Sequence, residues 1–280
     1  MAHDAQDERL IQAVLASGVR IPPMPEILRG LNLLLRDEDA GPRELAGLIG
    51  RDGALSGAVF RLVGSPVFGL RARVDTVEKA ITVLGIRSAA AVVRSEALRG
   101  ALHDPGHARA LEALWAHSGA IADLMLLALK TGHARGIAAD TAYTLGMFHD
   151  CGLALLCKRL PLYARALVQP GIWLDIPTLD ANHQTDHGLI GQMVAKNWLL
   201  GEDIVLAIRH HHSVSVAGLD EAVARLCALL NFALHLRHAR TGTEDGTWES
   251  AWKAETGRRL GLSEGDLADW EAAVGELAGG

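Results

Sequence analysis

The chain has 280 residues, of which 49% are hydrophobic and only 4% aromatic, and its formal net charge is −6. This length suffices for one large or two ordinary domains with a substantial core. Ala and Leu dominate the apolar residues, and such side chains favour helices that pack closely. We therefore predict an all-α protein.

Acidic and basic residues are unevenly distributed along the chain. Residues 241–280 carry nine acidic and three basic side chains, which leaves 24 of each sign in the first 240 residues. A neutral body with an acidic end argues against a strong nonspecific nucleic-acid surface, while a local basic patch at Arg71 and Arg73 stays open.

The cysteines and the N-terminus bear on location. Cys151, Cys157 and Cys227 form no CxxC pair and are odd in number, which argues against a disulfide scaffold. The N-terminus has neither a basic start nor an apolar signal segment, and no apolar run reaches about 18 residues. We expect a cytoplasmic protein that is neither exported nor membrane-bound.

Periodicity, Pro and Gly breaks and capping residues divide the first hundred residues into short helices. Pro25 can start a helix after the irregular IPPMP segment, Asp52 is placed to cap another, and Asp75 with Glu78 resembles a capping arrangement. Gly85 is a natural helix end. The predicted helices cover residues 7–16, 26–35, 42–49, 53–63, 77–84 and 86–102.

Pro105 and Gly106 interrupt the helical pattern and predict a lobe boundary. His103 and Asp104 just before them form an HD dipeptide, which we interpret as a surface turn. We predict an N-terminal lobe over 1–106, a second lobe over 107–240 and an acidic extension over 241–280. The predicted helices of the second part cover residues 109–131, 139–157, 187–199, 203–211, 221–240 and 263–277.

The extension carries Trp248 and Trp252 four residues apart, so both lie on one face of a helix. They either dock the extension on the body or face another subunit. Docking is the simpler interpretation.

The most informative stretch is YTLGMFHDCGLALL, residues 143–156, where His149 and Asp150 lie in an apolar, helix-like segment. A desolvated carboxylate is normally paired, protonated or bound to metal. An isolated pair would simply be hydrogen-bonded. Other histidines in apolar helical patterns are His117, His187 and the run 210–212, so imidazoles from four segments can converge on one acidic centre.

Several motifs, in order, resemble the HD-related output domain, or HDOD, family of bacterial signalling proteins. They span about residues 21–240 and read IPPMPEIL, DTVEKAITVLGI, FHDCGLALL, DHGLIGQMVAKNWLL and AIRHHH. The resemblance implies an all-helical fold, with an N-terminal helical lobe and a C-terminal lobe related to HD-type metal-dependent phosphohydrolases, among them the HD-GYP cyclic-di-GMP phosphodiesterases.

In catalytic HD enzymes, histidines and the HD pair bind metal ions, the Asp bridges them, and a metal-bound water attacks phosphorus. The resemblance extends these metal-binding roles to matching positions here. Carboxylate and imidazole ligands suit divalent transition metals such as Fe, Mn or Zn. The candidate metal ligands are His117, His149, Asp150, His187, His211, His212 and, at the closing acidic position, Asn231.

Two departures weaken a catalytic interpretation. Leu153 replaces the lysine of an HDxGK pattern, which removes a phosphate contact, and Asn231 offers a neutral oxygen where relatives use a carboxylate. The segment HHSVSVAG also lacks the GYP signature. We assign no residue a catalytic role.

These observations are consistent with two functions that belong to different classes, a regulatory domain and an enzyme. The first is a noncatalytic regulatory domain that acts through an unidentified signalling partner or a small ligand and keeps a degenerate metal site. The second is a metal-dependent phosphohydrolase acting on a nucleotide or cyclic dinucleotide. A sensor, in which metal or ligand changes how the lobes pack, is a third alternative.

Overall fold

The protein is described by a computed structural model that covers residues 12, 18–65, 68, 74–169, 171–214 and 218–279. The predicted helix 7–16, apart from residue 12, and the pair Arg71 and Arg73 lie outside the described residues. Within them the chain forms helices and no strand, which confirms the all-α prediction.

The N-terminal helices have nearly the predicted bounds. Asp52 caps its helix through hydrogen bonds from the backbone N–H groups of Ala54 and Leu55. The Asp75–Glu78 cap is wrong: the Thr76 hydroxyl caps that helix, and Asp75 instead pairs with Lys79 at 2.7 Å. The helices are α1 (Glu26–Leu34), α2 (Pro42–Ile49), α3 (Gly53–Val63), α4 (Val77–Leu84) and α5 (Ile86–Ala101).

The longest of the described helices is α6 (Ala108–Lys130), and it packs against α7 (Ala139–Phe148), α13 (Glu221–Arg240) and α15 (Glu264–Gly279). A 3₁₀ turn, Pro105–His107, precedes it and is capped by Asp104, so the HD dipeptide at 103–104 lies in the irregular link between α5 and this turn. The helices are α6 (Ala108–Lys130), α7 (Ala139–Phe148), α8 (Cys151–Arg159), α9 (Pro161–Ala166), α10 (Ile176–His183), α11 (His187–Asn197), α12 (Glu202–His210), α13 (Glu221–Arg240), α14 (Lys253–Leu260) and α15 (Glu264–Gly279).

The stretch Pro105–Lys130 is long and apolar enough to cross a membrane by length and composition alone. Most of it is buried inside the protein, as expected of a core helix. The described residues therefore give no clear membrane-spanning segment.

The single predicted helix 139–157 is wrong, because the chain forms two helices that meet at the His149–Asp150 pair. Asp150 has φ −103° and ψ 12°, outside the helical region, and the pair forms a turn between α7 and α8. Gly146 and Gly152 flank this turn, but neither Gly nor Pro lies within it and the apolar pattern continues on both sides, so sequence periodicity did not reveal it. The break places the HD pair at a helix junction.

Two glycines let the helices around this junction approach closely. A Cβ on Gly146 would lie 2.6 Å from the Ala122 Cα of α6, and one on Gly152 would lie 2.1 Å from the His187 carbonyl oxygen of α11. Real side chains do not tolerate such distances. These contacts bring α6 and α11 against the HD pair.

The extension docks on the body through tryptophans. Trp248 and Trp252 are buried, which confirms the docking interpretation. Trp270 stacks on Phe232 of α13, with centroids 3.8 Å apart, and its indole N–H donates to the Ala128 carbonyl of α6. Trp248 and Trp252 lie in a short π-helical turn, Trp248–Trp252, which no sequence pattern predicted.

Candidate metal centre

The Asp150 carboxylate lies among three imidazoles. The Nε2 atom of His149 is 3.2 Å from Oδ2, while the Nε2 atoms of His187 and His211 are 3.3 and 3.4 Å from Oδ1. All four side chains are buried. The structure thus brings together residues from three separate segments, as the sequence predicted for an acidic centre.

Each of the three imidazoles is held by its other ring nitrogen. His149 Nδ1 is 2.8 Å from the Gly146 carbonyl, and His211 Nδ1 is 2.7 Å from the Ile208 carbonyl. Since a carbonyl only accepts, both Nδ1 atoms carry a proton, and Nε2 is the ring nitrogen that faces Asp150. Metal-ligating histidines are held in this way by carbonyl or carboxylate acceptors.

His187 is oriented by Asp180, which the sequence interpretation missed. The Asp180 carboxylate accepts from the His187 backbone N–H at 2.8 Å and from its Nδ1 at 2.6 Å. The Tyr163 hydroxyl also donates to Asp180, and Thr185 contacts both groups. The only sequence signal was an acid seven residues before a candidate ligand. Neither α9 nor α10, which carry Tyr163 and Asp180, was predicted.

Two further candidate ligands extend the cluster. His212 Nε2 lies 3.1 Å from His187 Nε2, although His212 itself is exposed. His117 approaches from α6, with its ring 5.9 Å from that of His149. Ligand atoms of Asp150, His187, His211 and His212 form one group within 4.8 Å, and those of His117, His149 and Asp150 form another. Asp150 belongs to both groups.

His117 is held by an aromatic contact. Its imidazole stacks on Trp173, with centroids 3.9 Å apart and planes 7° from parallel. The buried Nε2 atom of His117 has no hydrogen-bond partner among the described residues, and that of His149 has none besides its 3.2 Å contact with Asp150. Buried polar atoms are normally satisfied, so these two atoms fit a ligand or an ion.

The two departures from the HD pattern differ in position. Leu153 is fully buried in the hydrophobic core. Asn231 on α13 donates its amide N–H groups to the carbonyls of His211 and Cys227, at 2.8 and 2.9 Å, and lines the same cavity as Asp150. Its amide nitrogen is therefore engaged, which leaves the amide oxygen for the cavity.

Burial and mutual contacts shift the protonation of the cluster. Burial lowers the pKa of His117 to about 3. Burial also opposes the charge of His187, but hydrogen bonds to Asp150 and Asp180 outweigh it and raise its pKa to about 10. Burial would raise the pKa of Asp150, yet the surrounding imidazoles hold it well below its usual range. Asp150 is therefore ionised.

A positive charge is needed where the Nε2 atoms meet. The Nε2 atoms of His187 and His211 lie 3.2 Å apart, and two bare lone pairs at that distance repel each other. Either a proton on His187 or a metal ion supplies the charge. The buried Nε2 atom of His117 has no partner among the described residues, so a proton on His187 leaves that atom unsatisfied, and the donor set fits a metal.

A cavity of about 310 Å³ opens over this cluster. Its lining includes His117, His149 and Asp150 of the cluster, together with His238 of α13 and residues of the extension. This volume is at the small end of the range for small-molecule sites.

A sequence profile of the HDOD domain matches residues 21–214 of the chain. The chain belongs to the HDOD domain family. The match includes every candidate ligand except Asn231 and confirms the predicted resemblance.

Solved structures support the HDOD fold across 98% of this chain. A protein from Shewanella amazonensis, provisionally assigned as a metal-dependent phosphohydrolase, aligns over 99% of its length with TM-score 0.67 and 16% identity. An HDOD domain protein of unknown function from Geobacter sulfurreducens aligns over 97% of its length with TM-score 0.66 and 21% identity. At these identities the likeness shows the fold alone.

A curated relative shares more sequence but is longer. It is an uncharacterized protein of Treponema pallidum, 25% identical over 204 residues, which make up 69% of this chain and 38% of the relative. The chain thus spans well under half the length of that relative.

Proposed function

We propose that this HDOD protein is a noncatalytic regulatory domain that binds a divalent transition metal at the Asp150 cluster and acts through a protein partner or small ligand. The reducing cytoplasm suits it, since Cys151, Cys157 and Cys227 are buried free thiols. The partner, the metal and the location are parts of this proposal.

The observation that carries the noncatalytic assignment is the charge of the cavity lining. Among the described residues that line it, the fixed charges are the two acids Asp150 and Asp245, with no Lys or Arg. Phosphoryl transfer gains much of its rate from cationic groups that meet charge on the phosphoryl oxygens. Because Leu153 lies in the core and Asn231 carries a neutral amide, a bound metal would be the main positive charge available to a phosphate group.

The metal assignment is supported by the donor set. His149, His187 and His211 direct Nε2 atoms at Asp150, and each ring is fixed from behind by an acceptor. Three or four protein ligands suffice for common transition-metal sites. Such an ion would polarise a bound water or ligand oxygen.

A metal-dependent phosphohydrolase is the second candidate, favoured by one observation. Asp150 belongs to two overlapping groups of ligand atoms, one with His117 and His149 and one with His187, His211 and His212. Two adjacent metal positions that share a carboxylate are typical of two-metal phosphoryl chemistry.

One assay separates the candidates. Protein purified without a polyhistidine tag is incubated with cyclic di-GMP and common nucleotides in the presence of Mn, Mg, Fe or Zn, and its metal content is measured by elemental analysis. We expect bound metal that is lost in Asp150→Ala, and no appreciable hydrolysis. Turnover that disappears in His149→Ala or Asp150→Ala would establish the hydrolase instead.

A further inference from the structure

A second cavity, of about 300 Å³, lies where the segment before α1 meets the ends of α5 and α8. It shares no lining residue with the cavity over the metal cluster. Its charged lining residues are Arg20, Lys158 and Arg159, and no described acidic residue lines it. Three cationic side chains from two separate segments therefore surround one cavity.

The Arg159 guanidinium lies at the edge of this cavity. Gly18, which also lines the cavity, has φ +81°, and a Cβ placed on it would lie 3.1 Å from the guanidinium carbon and from Nη2 of Arg159. The guanidinium thus lies directly against the Gly18 backbone, which glycine permits because it has no Cβ. The charged end of Arg159, and not only its aliphatic stem, is therefore beside the cavity lining.

The Lys158 ammonium is placed by a backbone carbonyl. Lys158 Nζ donates to the carbonyl oxygen of His103 at 3.5 Å, and His103 directly follows the lining residue Leu102. An ammonium group has three protons, so this single long bond leaves two of them for another acceptor. The carboxylate of the next residue, Asp104, accepts instead from the Gly106 backbone N–H at 2.8 Å. Among the described residues, no acid forms an ion pair with Lys158.

The end of a helix accounts for only part of this positive charge. Lys158 and Arg159 lie in the last turn of α8, where cations offset the negative end of the helix dipole. Arg20 lies outside any helix, in the irregular segment before α1, so that explanation does not apply to it. Arg and Lys are charged at physiological pH, so the charge of the cavity does not depend on a protonation assignment. A cleft lined by one sign of charge attracts ions of the opposite sign, here anions.

The remaining lining residues favour an anion with an apolar portion. Val19, Leu102 and Leu155 are buried and contribute apolar side chains to the lining. A phosphate group matches the charged part, because guanidinium groups bind its oxygens in a bidentate manner. A dianionic phosphate also offsets two of the three positive charges, whereas a carboxylate would offset only one.

We propose that this cavity binds a small organic phosphate, in which a dianionic phosphate monoester contacts Arg20, Lys158 and Arg159 and an apolar group lies on the apolar surface beside them. The proposal goes beyond the regulatory function above and does not depend on a metal at the Asp150 cluster. Helix α8 connects the two sites, because it starts directly after Asp150 and ends at Arg159.

The test uses phenyl phosphate, a phosphate monoester with one apolar ring. Its binding to the full-length protein is measured by calorimetry and compared with that of inorganic phosphate, benzoate and benzyl alcohol. We expect phenyl phosphate to bind about tenfold more tightly than inorganic phosphate, which lacks the apolar ring, and than benzoate, which carries a single charge. Benzyl alcohol, which is neutral, should show no saturable binding.

Variants that remove one positive charge locate the site. Arg20→Gln and Arg159→Gln change exposed residues, and each should weaken phenyl phosphate binding about fivefold or more, with a larger loss in the double variant. Arg165→Gln is the matched control, because Arg165 is exposed on α9 and does not line the cavity. It removes the same charge and should leave the affinity nearly unchanged. Protein stripped of metal by a chelator should bind phenyl phosphate as the untreated protein does.

Three results would overturn the proposal: no saturable binding of phenyl phosphate, equal losses in Arg165→Gln and the double variant, or binding that disappears when metal is removed. The last result would place the phosphate on the metal cluster. Failure of the regulatory function is detected separately, as nucleotide turnover, and leaves these expectations unchanged.

Discussion

The imidazole of His117 stacks face to face on the indole of Trp173, which lies in the Ile172–Leu174 turn between α9 and α10. This contact restrains the ring of a candidate ligand whose Nε2 has no partner. We predict that Trp173→Ala lowers affinity for Mn or Zn at the His117–His149–Asp150 group, while Trp173→Phe, which keeps a stacking face, has a smaller effect. Metal titration by calorimetry measures both; equal affinities in the two variants would contradict the restraint.

Asp180 is predicted to support metal binding through His187. In Asp180→Asn the His187 Nδ1–H loses a charged acceptor, and metal affinity should fall by about 10- to 100-fold. Asp175→Asn is the control, because Asp175 is exposed at the start of the same helix, α10. Competition with a coloured chelator gives the affinities. A loss shared by both variants would point to a general charge effect.

Asn231→Asp should have opposite effects with and without metal. The wild-type amide donates to the His211 and Cys227 carbonyls, and a carboxylate cannot, so the metal-free variant should lose about 1–3 kcal/mol of unfolding free energy. A carboxylate is the better cation ligand, so added Mn should raise its melting temperature more than that of the wild type. Asn182→Asp, at an exposed position of α10, controls for charge. An equal metal response in both proteins would show that position 231 does not contact the ion.

Gly152→Ala should disturb the centre through packing alone. The new Cβ would meet the His187 carbonyl oxygen at 2.1 Å, so α8 and α11 must separate, at a cost of about 1–3 kcal/mol or more. Gly119→Ala is the counterpart on α6, where a Cβ meets nothing within 4 Å. That change should stabilise the helix by up to about 1 kcal/mol. Urea unfolding measures both, and opposite signs are expected.

Acid should loosen the extension through Asp245. Burial would raise its pKa, but the bonds from His238, Thr247 and the Trp248 N–H outweigh burial and lower the pKa from 3.8 to about 2. A lowered pKa means that the ionised group stabilises the fold above pH 3.8, and that this contribution disappears as the pH falls toward 2.

Hydrogen exchange around residues 248–260 tests this pH dependence. Protection there should fall between about pH 4 and pH 2 in the wild type. Asp245→Asn should be less protected at neutral pH and less sensitive to acid in that range. Glu244→Gln, at the exposed neighbouring position, should behave as the wild type.

The helices and the ligand set were accessible from sequence because both leave local patterns. Apolar spacing gave α13 with its observed bounds, 221–240, and the other long helices to within one or two residues, α15 included. The exception is the predicted helix 139–157. Histidines in apolar segments, such as His117 and His187, were also recognisable, because burying an imidazole is unfavourable unless it is hydrogen-bonded or bound to a metal.

The supporting groups were not accessible, because they depend on contacts between distant segments. Asp180 and Tyr163 lie in short helices, α10 and α9, without a periodic pattern, and Trp173 lies in a three-residue turn. Nothing local links His238 to a metal cluster or distinguishes Asp245 from other acids in an acidic tail. The turn at Asp150 was not predicted for a related reason. Contacts of the HD pair with distant residues end the helix there, although the apolar pattern continues on both sides.

The contacts of the docked tryptophans determine how much of the chain must be kept when the domain is transferred to another protein. Helix α13 covers α6, and Trp270 joins α15 to the end of α6, so residues 221–279 cover surface that the matched segment 21–214 would otherwise expose. A chimera that transplants only the matched segment would therefore carry an uncovered apolar face and half a cavity. A graft that works as an interchangeable module must continue to the last turn of α15.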